Sequence, residues 1–250
     1  MSAGESIKKG FSVAGQSLNL VAVLFLFGFI FGLTGIFMPP PASAATQAGG
    51  LGYAVLSIGF LLFSIFFQAG TMGYIRDKIK QGSAAFSSFT ASGSRYYLKF
   101  LLFGLLMMVG FVAAALVVTL LAVLGGKVHM YLAVAVGSVL GGLGIYVFLL
   151  TFMTPYVLVN SEHNVVAATK ASIAFVRKNL ASLLLLTLII FAVGFAIGLL
   201  LGLGVAALGG ETAAIPVKIG FVFLNSLVNA YIGVFVAAAY MHFYLGKASS

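Results

Sequence analysis

Six apolar runs, at about residues 18–38, 51–75, 98–124, 130–158, 180–208 and 216–245, constrain this chain more than any other feature. Each is long enough to cross the hydrocarbon of a bilayer, which takes roughly 20 residues rising about 1.5 Å apiece. A chain of 250 residues that is 62% apolar and 7% charged, with mean hydropathy +1.19, lies outside the soluble globular range. The runs do not alternate apolar and polar residues as barrel strands do. The expected fold is therefore an all-α membrane protein with six transmembrane helices in three hairpins.

The segments outside these runs are about 39–50, 125–129 and 209–215 on one side, and 1–17, 76–97, 159–179 and a short tail on the other. None is long enough to build a second core, so a single domain over 1–250 is expected. The start mimics a signal peptide, with Lys8 and Lys9, an apolar stretch, and Ala42-Ser43-Ala44 as a small-residue site. Its apolar run is too long for a usual signal core, so a retained transmembrane helix is the expectation.

Charge sets an expected orientation. Lys8, Lys9, Arg76, Lys78, Lys80, Arg95, Lys99, Lys170, Arg177, Lys178 and Lys247 fall on the side of both termini, against Lys127 and Lys218 on the other. Eleven against two places both termini in the cytoplasm, because basic loops resist translocation, and the membrane is then the inner, cytoplasmic one. The net charge of +9 resides in short juxtamembrane stretches, where anionic lipid is the nearest counter-charge. Nucleic acid is not an expected partner. With no tryptophan, Tyr74, Tyr96, Tyr97, Tyr156, Tyr240 and Tyr244 are expected as an interfacial aromatic belt near that face.

A parallel repeat of about 82 residues is visible beneath the hydrophobicity. Tyr156 falls on Tyr74, Ala167 on Ala85, Arg177 on Arg95 and Leu180 on Leu98. Lys8 and Leu18 stand 162 residues before Lys170 and Leu180, and Tyr240 stands 84 after Tyr156. The repeating unit would be a short interfacial amphipathic helix, a span, an outer turn and a returning span. In the copy from Asn164, which is placed as an N-cap, Val165, Ala168, Ser172 and Phe175 give a narrow apolar face. In residues 79–97, Ile79, Phe86, Phe89 and Tyr96 repeat it.

The stretch "YVLVNSEHNVVAATKASIAFVRKNLASLLLL" carries a resemblance. Asn164-Val165, Ala168, Lys170, Ser172 and Lys178-Asn179 ahead of a leucine-rich span resemble the pattern of a poorly characterised group of six-span prokaryotic membrane proteins. That group includes the membrane domain fused to some glycerophosphodiester phosphodiesterases. This chain departs from the pattern at Ala174, where an aromatic is usual, although Phe175 follows. The resemblance covers about 25 residues and implies the span layout, not phosphodiesterase activity.

Chemistry is sparse. The four acids, Glu5, Asp77, Glu162 and Glu211, all lie outside the expected spans, which leaves proton or ion coupling without its usual carrier. With no cysteine, and with His129, His163 and His242 dispersed, no metal site, cofactor or catalytic group is expected. Three sets of residues remain as candidates. Arg76, Lys78, Lys80, Arg95, Lys99, Lys170, Arg177 and Lys178 are placed for anionic-lipid contact. Gln68, Asn225 and Asn229 are expected in a polar bundle interior or path. Gly28 with Gly32, Gly137 with Gly141, and Gly194, Gly198 and Gly202 are spaced for close helix packing, within the chain or in a homo-oligomer. The expected function is a non-catalytic scaffold, accessory subunit or lipid-interacting organiser, with a membrane protein as a further partner. The alternative is a passive or substrate-binding transporter or channel lined by those amides.

Overall fold

The computed structural model describes residues 1–37, 47–125, 130–208 and 214–248. Lys127, His129 and Glu211, and the Ala42-Ser43-Ala44 site, lie outside the described residues. Eight α-helices account for nearly all of these residues: α1 (Ala3–Gly15), α2 (Leu18–Phe37), α3 (Gln47–Gln81), α4 (Phe86–Gly125), α5 (Met130–Thr151), α6 (Thr154–Asn160), α7 (Val165–Ala207) and α8 (Ile215–Ala248). Six stretches among them are long and apolar enough to cross a membrane.

Two of the helices, α1 and α7, begin where side chains satisfy their free amides. Ser2 and Glu5 form a reciprocal cap on α1: the Ser2 amide donates to Glu5 Oε2 at 2.8 Å and the Glu5 amide to Ser2 Oγ at 3.2 Å. At α7 the Ala167 amide donates to Asn164 Oδ1 at 2.9 Å, as the sequence predicts for an N-cap.

The chain forms two compact units. The first comprises Met1–Arg95 and Ala181–Ser250. Here α8 packs against α1, α2 and α3. Gly10 lies so close to Ala239 that an added Cβ would stand 2.9 Å from its Cβ and 3.0 Å from its backbone. Phe11 stacks on Phe235 with ring centroids 3.9 Å apart. The first turns of α4 press Phe89 and Ser92 onto Gly70 and Gly73 of α3, and Phe27 of α2 stacks on Phe67 of α3 at 4.1 Å. The core runs through Leu20, Ile75, Leu183, Leu186 and residues 234, 235, 237–241 and 243.

The second unit is Tyr96–Leu180. Its core is Tyr96, Phe100, Leu150, Met153, residues 156–159, Ala168, Ser172 and Val176. The expected span 130–158 is not one helix: it ends at Thr151 and restarts as α6, with Pro155 in the first turn. Proline has no amide to continue the ladder. Near this break Ser172 Oγ donates to the Leu150 carbonyl at 2.9 Å.

Three further expectations are corrected. Residues 79–97 are not one amphipathic helix: Gly82 takes a left-handed φ of 75°, α3 ends at Gln81 and α4 restarts at Phe86. The restart shifts the phase, so Phe89, Ser92 and Tyr96 are buried while Phe86 is exposed and Ile79 is half-buried at the end of α3. In α4 no break separates an interfacial helix from the span, whereas α7 is kinked at Asn179, whose φ of −120° leaves the helix. There the Asn179 amide side chain donates to the Phe175 carbonyl at 3.0 Å. The expected tyrosine belt is largely internal: Tyr74, Tyr96, Tyr156 and Tyr240 are each 5% exposed or less. The Tyr96 hydroxyl donates to the Val159 carbonyl and the Tyr240 hydroxyl to Thr187 Oγ1.

Candidate functional site

Two of the sets singled out from sequence meet in the first unit. In the second half of α7, Gly194, Gly198 and Gly202 fall at four-residue spacing and share one helix face. In α8, Asn225 and Asn229 share a face in the same way, with Val222 and Phe221 one turn below. These faces line one groove of about 430 Å³. A Cβ added at any of the three glycines would meet nothing within 4 Å, so the glycine wall is open.

Among the described residues the asparagines make no interhelical tie. Asn229 Nδ2 donates to Asn225 Oδ1 at 3.0 Å on the same helix, and both side chains are exposed. Each carboxamide has two donors and an acceptor oxygen, so the pair leaves most of its capacity facing the groove. In the sequence alone the glycines fall with helix packing and the asparagines with a polar interior. No local spacing shows that two helices bring them together. Gln68 is exposed on α3 and is not part of this groove.

The remaining glycines divide. Gly28 and Gly32 of α2 face α8, an added Cβ lying 3.7 Å from Ser226 Cβ at the first and 2.5 Å from Val222 Cγ1 at the second. Gly137 and Gly141 have no described atom within 4 Å of such a Cβ.

The basic residues also divide, by what each already touches. In the first unit Arg76 is paired with Asp77 at 2.7 Å, Lys78 is half-buried, and Lys80 and Arg95 are exposed. In the second, Lys99 Nζ donates to the His163 carbonyl at 3.1 Å and lies 5.9 Å from the Tyr96 ring centroid. Lys170, Arg177 and Lys178 are exposed on the first half of α7 and form no ion pair with the described residues. At the amino terminus the Ser2 backbone amide, donating to Glu5, holds that carboxyl below the ordinary carboxylate range. Among the described residues no three His, Asp or Glu side chains come together.

Eight helices without a strand among the described residues, six of them carrying stretches of spanning length and hydropathy, define an all-α, multi-pass membrane protein. Within that class the chain belongs to a family described as a domain of unknown function (DUF7847), whose model matches residues 1–246. No curated protein and no solved structure matches it.

Proposed function

We propose that this protein is a non-catalytic scaffold or accessory subunit of the cytoplasmic membrane that holds a partner's transmembrane helix in the groove between α7 and α8. The observation that carries the reading is the exposure of Asn225 and Asn229 beside the open wall of Gly194, Gly198 and Gly202. An amide facing hydrocarbon without a partner costs about 1–3 kcal/mol or more. A helix bearing its own hydrogen-bonding side chain removes that cost, and glycines at four-residue spacing let its backbone approach closely. In this reading both termini face the cytoplasm, and Lys170, Arg177 and Lys178 rest on anionic lipid.

Native mass spectrometry of the protein extracted in its own lipids tests the proposal. The wild type should carry a second polypeptide of defined mass and stoichiometry, and an Asn225→Leu/Asn229→Leu variant with unchanged thermal unfolding should lose it. A bare chain in both preparations would sink the idea. The same amides could instead line a passive path for a small polar solute. Flux into liposomes that falls in Asn229→Leu would favour that second reading, and unchanged permeability across a broad solute panel would count against it.

A further inference from the structure

The second unit contains a groove that the proposed partner helix does not use. α4 supplies one wall, in which Gly110 and Ala114 leave room, and α5 supplies the other through Gly144, Phe148 and Thr151. Thr169, from the first half of α7, also lines the groove, and the cavity measures about 560 Å³. A Cβ added at Gly110 or Gly144 would meet nothing within 4 Å, so both walls face free space.

The chemistry of the lining is one-sided. Thr151 Oγ1 donates to the carbonyls of Val147 and Phe148 at 3.0 and 3.1 Å, and Thr169 Oγ1 to that of Val165 at 2.8 Å. Both hydroxyls are thus turned back onto their own helices, and every other lining residue is apolar or glycine. Nothing here would reward a polar guest. Along α4 the groove runs from Leu106 to Val117, which at 1.5 Å per residue is about 16 Å. That is about half the thickness of a bilayer's hydrocarbon, the reach of one acyl chain in one leaflet.

Charge identifies the kind of lipid. Thr169 is followed directly by Lys170, which is exposed and forms no ion pair with the described residues. Arg177, seven residues on, shares the face of Lys170 and is also exposed. We infer that this groove binds one acyl chain of an anionic phospholipid, with the phosphate held at Lys170 and Arg177. The site rests on the lipid-contact part of the proposed function and goes further, naming a seat where that reading needs only a charged surface.

The test uses the full chain in nanodiscs of equal phosphatidylglycerol and phosphatidylcholine, released for native mass spectrometry, with retained phospholipid counted. Wild type should keep one phosphatidylglycerol. Gly110→Leu/Gly144→Leu, which fills the groove from open positions, should cut that retention about tenfold while leaving thermal unfolding in place. Should the double variant fail to fold, Gly110→Leu alone serves as the readout. Lys170→Gln should keep a lipid but lose about fivefold in preference for phosphatidylglycerol, as expected for one cation at an anionic surface. Asn225→Leu/Asn229→Leu should keep the lipid whatever becomes of the partner helix, which separates the two proposals. Wild-type retention in a folded groove-filling variant, or equal retention of both lipids by the wild type, would overturn the inference.

Discussion

A single methyl group separates the glycines of α1. At Gly10 an added Cβ would stand 3.0 Å from the Ala239 backbone, so α1 and α8 must part to admit it; at Gly4 it would meet nothing. Alanine is the better helix former by about 1 kcal/mol, but overpacking against backbone costs about 1–3 kcal/mol. Gly10→Ala should therefore lower the unfolding temperature in detergent, while Gly4→Ala should leave it unchanged or raise it. Glu5 makes a prediction of a different kind. Its carboxyl is depressed in the folded chain by the Ser2 amide, so the cap's contribution is complete above the unfolded value of about 4.3 and is lost as pH falls through the lower folded value. The amide chemical shifts of Ser2 and Glu5 should show one acid transition below that value, and in Glu5→Gln the transition should be absent.

Among the elements, the break between α5 and α6 depends on a residue that is distant in sequence. Ser172 is fully buried and its hydroxyl donates to the carbonyl of Leu150, one residue before the helix stops. Ser172→Ala should cost about 1–3 kcal/mol, the penalty for a buried carbonyl that loses its donor. Hydrogen exchange should quicken between Leu150 and Val157. Thr90→Ala, whose hydroxyl only returns to its own helix at Ser87, should stay within about 0.5 kcal/mol. The six spans and the Asn164 cap were legible because each is a local pattern: run length in the first case, side chain and spacing in the second. The break at Phe152–Met153 and the phase shift at Gly82 were not: the long apolar run around the first outweighed Pro155, the local signal for it, and Gly82 shows its φ only in the fold. The meeting of Gly198 with Asn225 and Asn229, and of Gly110 with Gly144, was equally hidden. Lipid-facing and core-facing positions are both apolar here, so periodicity that reveals the buried face of a soluble helix has little contrast to work with.

For the whole molecule, orientation is the property on which both functional proposals depend, because anionic lipid and the basic stretches must share a face. The driving asymmetry is eleven cations against two across the expected loops, and short loops rich in Lys and Arg are retained on the cytoplasmic side. The chain contains no cysteine, so every introduced thiol is a unique reporter. Ser2→Cys, Ser83→Cys and Ser161→Cys should react with a membrane-impermeant maleimide only after cells are opened. Thr46→Cys and Thr212→Cys should react in intact cells. The pattern across the two sets decides between claims: reaction at Ser83 and Ser161 in intact cells, with Thr46 and Thr212 protected, would reverse the orientation and separate Lys170 and Arg177 from the anionic leaflet. Reaction of Thr46 and Ser83 from the same side would instead remove a crossing, since α3 alone lies between them and must carry the chain across the bilayer for six spans to stand.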